Sequence, residues 1–238
     1  MKKFVIFDID GTLIRALRPI DNLQRFRYSI QKAFDVDVGK MTHEVWKRGN
    51  YNGKGDRFIL WNMLSHHGVS RDTFLDRLGE IGEYFAAYLD IVRADGPSYE
   101  VIEDAKKLLE KVISARHLSE GVLTGNLGPS ARWKLKDAGL PEFAFGVYGH
   151  EADSREDLAR LIIPKAKKFF GRDIIPSDIT IIGDTVNDVL CARAIGATVI
   201  IVSTGWNVHK DEFADHLPDL HVDSLLDERV LSLLGLTV

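Results

Sequence analysis

The chain is nearly without cysteine: Cys191 is the single one among 238 residues. An intramolecular disulfide is therefore impossible, and packing and hydrogen bonds must hold the fold, as suits a reducing compartment. There is no surplus of charge either. Lys plus Arg is 31 and Asp plus Glu is 35, a net −4, which gives no general attraction to nucleic acid or to an anionic membrane. Long apolar runs are missing as well. None approaches the ~20 residues of a membrane span, and the opening Phe4-Val5-Ile6-Phe7 stops at Asp8, too soon for the core of a signal peptide. Internal repeats and low-complexity stretches are absent. What remains is ordinary globular material, 45% hydrophobic and 28% charged, which excludes disordered and fibrous classes. A soluble, cytoplasmic protein is expected, binding neither nucleic acid nor membrane, as a monomer or homodimer.

Short apolar runs recur at Lys3–Asp8, Gly121–Leu123, Phe145–Tyr148, Ile179–Ile182 and Thr198–Val202, each ending in a polar or Gly-rich turn. Such runs read as strands buried on both faces. Helical patterns lie between them, at Tyr99–Val112, Ser130–Ala138, Glu156–Phe170 and Asn187–Ile195, with Gly139, Gly171 and Gly196 placed to end three of them. Strand alternating with helix predicts an α/β fold, a Rossmann-like parallel sheet with helices on both faces. Catalytic groups in such folds gather beyond the carboxyl ends of the strands. Ile14 to Arg93 breaks the alternation: no strand is evident, and the periodicity is helical (Leu23, Phe26, Ile30, Phe34; Leu75, Leu78, Ile81, Phe85, Leu89). We expect a core of residues 1–14 and 95–238 with an inserted all-helical domain at 15–94, rejoining the core at Ala94-Asp95-Gly96-Pro97, a hinge-like composition.

Three motifs carry chemistry. Asp8-Ile9-Asp10-Gly11-Thr12 follows the first strand, with two acids at i and i+2 on one face; they repel each other unless a cation sits between them. Gly183-Asp184-Thr185-Val186-Asn187-Asp188 follows another strand, and its two acids, four apart, share a face if a helix begins there. Four acids at two strand ends make a hard-cation site, and oxygen donors without His or Cys favour magnesium over zinc. Leu123-Thr124-Gly125-Asn126 ends a third strand, where a hydroxyl and backbone N–H groups are suited to phosphate oxygens.

In this order the motifs resemble those of the haloacid dehalogenase-like hydrolase superfamily, and among its members the phosphoglycolate phosphatase-like enzymes with a type 1 helical cap. The resemblance implies a phosphatase that hydrolyses a small phosphorylated metabolite with Mg²⁺. It makes Asp8 the nucleophile and Asp10 the acid/base, whose backbone carbonyl also meets the metal. It makes Thr124 a phosphate-binding hydroxyl beside Gly125 and Asn126, Asp184 a metal ligand, and Asp188 a support of the metal shell. The family also carries a Lys or Arg before the last motif. Arg155 is favoured, in a loop just before a helix, over Lys165, which follows Pro164 well inside a helical pattern. An acid at the position of Asp10 favours phosphoryl over haloacid chemistry, since a departing halide needs no proton. A phosphomutase and a phospho-accepting domain without turnover are the alternatives.

Gly53-Lys54-Gly55-Asp56-Arg57 is either a substrate-specificity loop, with Lys54 and Arg57 as its cations, or a turn between helices. It mimics a phosphate-binding P-loop, but Gly49 stands one residue too close and Gly55 replaces the Ser or Thr. Lys47 and Arg48 add to the positive charge of this region. His66-His67 before Gly68 is expected to end a helix. Trp46, Trp61 and Phe58 read as core of the inserted domain, and Cys191 as buried rather than reactive.

Overall fold

The computed structural model describes residues 2–94, 96–204 and 213–237; Asp95, part of the expected return to the core, lies outside them. Strand β1 (Lys3–Phe7) is followed by β2 (Ile14–Ala16) and then by five helices: α1 (Pro19–Phe34), α2 (His43–Arg48), α3 (Asp56–Leu64), α4 (Arg71–Asp76) and α5 (Leu78–Arg93). After β3 (Tyr99–Val101) strands and helices alternate: α6 (Glu103–Ser114), β4 (Leu118–Leu123), α7 (Gly128–Asp137), β5 (Gly146–Val147), α8 (Arg155–Arg160), α9 (Ile162–Phe170), β6 (Ile179–Gly183), α10 (Val186–Ile195), β7 (Thr198–Val202), β8 (Leu220–Val222) and α11 (Glu228–Leu234). The sheet runs β5-β4-β1-β6-β7-β8, and every neighbouring pair is parallel. This is the α/β architecture that the alternation implies.

β1 is central and apolar throughout because both its faces are covered. Val5 and Phe7 pack into the cluster formed with α6, α7 and α11, while Phe4 and Ile6 pack on the other side with α8, α9 and α10. In α6, Ala105, Leu108, Leu109 and Val112 make the i, i+3, i+4, i+7 stripe that turns to the sheet. Each large apolar side chain buried in this way contributes about 1.5–3 kcal/mol. A third cluster, around Phe26, Ile30, Ile59, Leu60, Phe74, Ile81 and Phe85, lies within the five helices and reaches Leu127 of the sheet region.

Four expectations need correction. The stretch after Ile14 does contain a strand, since β2 pairs antiparallel with β3, Ile14 against Val101 and Ala16 against Tyr99. These residues leave and re-enter the helical segment side by side, so the helix expected from Tyr99 begins at Glu103 instead. The helix expected over Glu156–Phe170 is two, because Pro164 has no N–H to donate to the Arg160 carbonyl and its ring crowds that oxygen. Phe58 is exposed rather than core, whereas Trp46 and Trp61 pack on the helical cluster. His66 and His67 are exposed in the turn that follows α3, and Cys191 is fully buried with its thiol pushed up to about 12 by burial. No helix among the described residues is long and apolar enough to cross a membrane.

Candidate active site

The carboxyl ends of β1, β4 and β6 are adjacent in the sheet, and all three motifs stand there. β1 delivers Asp8 and the buried Ile9, after which Gly11 turns the chain at φ +89°. A side chain at Gly11 would meet the Asp184 carboxylate as well as an unfavourable backbone region. Thr12 donates to Asp184 Oδ1 at 3.2 Å, fixing the first loop to the last. At the end of β6, Asp188 accepts from Thr185 N (3.0 Å) and Thr185 Oγ1 (2.8 Å) in a capping box that starts α10. Asp184, just before the cap, and Asp188, in the first turn, are thus held together at the start of that helix.

Asp8, Asp184 and Asp188 each bring one carboxylate oxygen within 4.8 Å of the others, and all three are buried. Burial foremost, and then repulsion from Asp188, pushes the Asp8 carboxyl up to about 7. Asp184 is raised well above the carboxylate range by burial and by the charges of Asp188 and Asp8. Three buried acids side by side, with Asp8 and Asp184 pushed up and only oxygen to offer, fit a hard divalent cation.

Among the described residues, one cation reaches into this cluster. Arg155, in the first turn of α8, donates to Asp188 Oδ1 at 2.6 Å and from both terminal nitrogens to Asp8 Oδ1 at 3.3 Å. It is nearly buried, and although burial lowers its proton affinity, the two aspartates raise it further. Lys165, its rival in sequence, is spent elsewhere, on the Gly146 carbonyl (2.9 Å) and Glu151 Oε2 (2.5 Å).

β4 ends in Thr124, whose Oγ1 accepts from Asn126 N (3.2 Å) and Asn126 Nδ2 (2.8 Å). With those acceptor sites filled, its one O–H proton is left to donate elsewhere. Asn126 Nδ2 also donates to Asp10 Oδ2 at 2.6 Å. The Asp10 carboxylate is turned away from the acidic cluster and toward Lys134, which donates to both its oxygens at 3.0 and 2.8 Å and to Asn126 Oδ1 at 2.6 Å. Burial works to raise the Asp10 carboxyl, but the Lys134 ammonium and the Asn126 amide outweigh it and hold it below its usual value. The Asp10 side chain nevertheless keeps 43% of its accessible surface.

Lys134 is the residue that sequence reasoning missed. The signal was available: in α7, Ala131, Lys134 and Leu135 all lie on the buried side, so a lysine stands on a core-facing stripe.

The helical segment closes over these loops. Asp56 N donates to the Gly125 carbonyl at 2.8 Å, and Leu127 N donates to Asp56 Oδ2 at 3.0 Å. Gly53 lies against the Asn187 side chain, and Gly55 against the Gly125 backbone. The Gly53–Arg57 segment therefore sits on the site. Its two cations do not meet the acidic cluster: the Lys54 ammonium lies over the Phe58 ring at 5.8 Å, and Arg57 pairs with Asp153 at 2.8 Å and donates to the His150 carbonyl at 3.1 Å.

The fold recurs in known proteins. The family model of haloacid dehalogenase-like hydrolases matches residues 2–196. Phosphoglycolate phosphatase 1 of Pseudomonas aeruginosa is 24% identical over 95% of this chain and 78% of its own. The phosphoglycolate phosphatase of Rhodospirillum rubrum is 25% identical over 87% and 82%. Among solved structures, CbbY from Rhodobacter sphaeroides, determined in complex with phosphate, superposes with a TM-score of 0.71 at 21% identity, covering 99% of this chain and 100% of that one. The chain belongs to the haloacid dehalogenase-like hydrolases and, within that family, is similar to its phosphoglycolate phosphatase-like members.

Proposed function

We propose that this enzyme is a Mg²⁺-dependent phosphatase of small phosphate monoesters in the cytoplasm, working through a phosphoryl group carried on Asp8. The observation that carries the reading is the convergence of Asp8, Asp184 and Asp188 within 4.8 Å, with Arg155 laid across Asp8 and Asp188. Residues 1–14 and 95–238 form the catalytic core on this reading, and residues 15–94 are the cap over it.

Asp8 and Asp184 would hold the metal with the Asp10 carbonyl, Asp188 supporting them. Bound there, Mg²⁺ supplies charge that offsets the repulsion between Asp8 and the phosphoryl oxygens. Asp8 Oδ attacks phosphorus as the ester oxygen departs, and that oxygen takes a proton from Asp10, which Lys134 and Asn126 hold ionised in the free enzyme and which takes up the proton as the anionic ester binds beside it. Water then attacks phosphorus, giving its proton to Asp10 as the Asp8–phosphorus bond breaks. Arg155, the free O–H of Thr124 and the backbone N–H groups of the loops around Asp10 and Gly125 bind the remaining phosphoryl oxygens. Lys134 and Asn126 fix where the Asp10 carboxylate points. The cap excludes bulk water, with the Gly53–Arg57 segment at its lip.

Inorganic phosphate release from a panel of phosphorylated metabolites tests this. Release should require Mg²⁺ and vanish in Asp8→Asn. Full activity in that variant, or quantitative return of phosphate to an isomeric sugar phosphate, would refute the reading.

A further inference from the structure

The helical segment meets the rest of the chain in two different ways. Along α7 the contact is helix against helix. Gly82 of α5 approaches Pro129 so nearly that a Cβ there would lie 3.0 Å from the ring, Trp133 donates to Asp90 Oδ1 at 2.7 Å, and Arg93 pairs with Asp137 at 2.9 Å. In front of α8 the contact is made by charge. Arg57 of α3 reaches Asp153 Oδ1 at 2.8 Å, and Arg71 of α4 donates to the same oxygen. Asp153 stands at the water's edge, with 62% of its side chain exposed against 12% for Arg57 and 33% for Arg71.

The two arginines are set for this meeting. The Arg71 guanidinium lies 4.8 Å from the Trp61 ring centre and 5.3 Å from that of Phe74, so two rings of the helical segment hold it in place. Arg57 also donates to the His150 carbonyl at 3.1 Å. The charge of Arg71 works against that of Arg57, and one carboxylate between them turns that repulsion into a joint attachment. Ion pairs at the water's edge are weak and readily remade, which suits an edge that opens and closes. The loop bearing Asp153 needs no help from the arginines to keep its shape. Glu151 Oε1 accepts from Tyr148 N at 2.8 Å, Glu151 Oε2 accepts from Lys165, and Ser154 Oγ accepts from Asp157 N at 3.0 Å to cap α8. Arg155 therefore keeps its place whether or not the arginines are attached, and the attachment acts on the cap alone.

We propose that Asp153 is a positioning residue for the reaction, the catch on the core to which Arg57 and Arg71 fasten when the cap closes over substrate. The inference rests on the phosphatase reading above and adds to it the contact that governs closure.

Steady-state kinetics on p-nitrophenyl phosphate under saturating Mg²⁺ and a distance measurement without substrate test it together. Asp153→Asn removes the shared anion and leaves the arginines repelling each other. It should raise KM by about tenfold, since apparent affinity falls with the fraction of closed cap. It should leave kcat within about twofold, because saturating substrate closes the cap again by mass action. Asp153→Glu should restore most of the wild-type KM. Loss of folded enzyme would lower kcat at constant KM, and displacement of Arg155 would lower kcat as well, so the split separates the catch from both. An unchanged KM in Asp153→Asn, or a loss confined to kcat, overturns the proposal. Asp72 of α4 and Lys168 of α9 are exposed, and Cys191 is buried away from thiol reagents. Spin labels at Asp72→Cys and Lys168→Cys should therefore report a longer and broader cap-to-core distance in Asp153→Asn, and an identical distribution overturns the catch. Failure to release phosphate from any monoester overturns the phosphatase reading and the kinetic role with it, whereas the label distances decide the catch on their own.

Discussion

The Asp8 carboxyl, pushed up to about 7 from an ordinary 3.8, ties metal binding to pH in a way that thermal unfolding can read. Between those two values the metal-free native protein keeps a proton that the unfolded chain has lost, so its stability falls as pH rises through that window and levels off above about 7. At about 1.4 kcal/mol per unit, a shift of this size amounts to at most about 4 kcal/mol at neutral pH and above. Asp184 acts in the same direction. A divalent cation competes with that proton, so its affinity should rise about tenfold per pH unit until Asp8 is ionised. At a fixed Mg²⁺ concentration about 100 times the dissociation constant at pH 8, binding contributes about 2.7 kcal/mol. For a chain of this length that is a Tm increase of about 5–10 °C. At pH 5 the same concentration should raise Tm by less than about 2 °C, following the weaker binding. Differential scanning fluorimetry at the two pH values, with and without Mg²⁺, measures this directly. Asp8→Asn should reduce the dependence on pH to the part that Asp184 contributes. An equal Tm shift at pH 5 and pH 8, or a pH dependence undiminished in Asp8→Asn, would refute the coupling.

Other substitutions address other contacts. Lys134→Met removes the ammonium that holds both Asp10 oxygens, and should lower kcat on alkyl phosphates by about 10²-fold, in the range of a displaced acid/base. The loss should be smaller on p-nitrophenyl phosphate, whose leaving group needs no proton; equal losses on both would contradict a role through Asp10. Gly11→Ala places a Cβ against Asp184 in a positive-φ turn; it should cost about 1–3 kcal/mol in urea unfolding and weaken Mg²⁺ binding by calorimetry. Asp56→Ala leaves the Leu127 N–H and Arg25 without their shared acceptor. It should destabilise the chain by about 1–3 kcal/mol and hasten proteolysis within residues 43–64.

The sequence is legible where chemistry and periodicity coincide. DxDGT, TGN and GDTVND each follow an apolar strand that is buried on both faces, and parallel strands bring their ends together whatever lies between them in the chain. The cation was harder to place, because Arg155 and Lys165 both precede the last motif; only the fold shows one facing Asp8 and the other Glu151. Lys134 escaped because a long polar side chain on a helix ordinarily points to water. Its position betrays it only in register: Ala131, Lys134 and Leu135 run i, i+3, i+4 on the buried side of α7. The β2–β3 pair was invisible for a different reason. Each strand has three residues, too few to show a period of two, and its pairing joins positions some eighty-five residues apart.

That ribbon also constrains how the enzyme can evolve. Because the outgoing and returning passages are laced to each other by backbone hydrogen bonds, the helices beyond them hang from a single knot rather than from two separate threads. Their contents can lengthen, shorten or change composition while the knot keeps its place beside the sheet. A lineage can thus retool the roof, and with it the choice of substrate, without redrawing the catalytic floor.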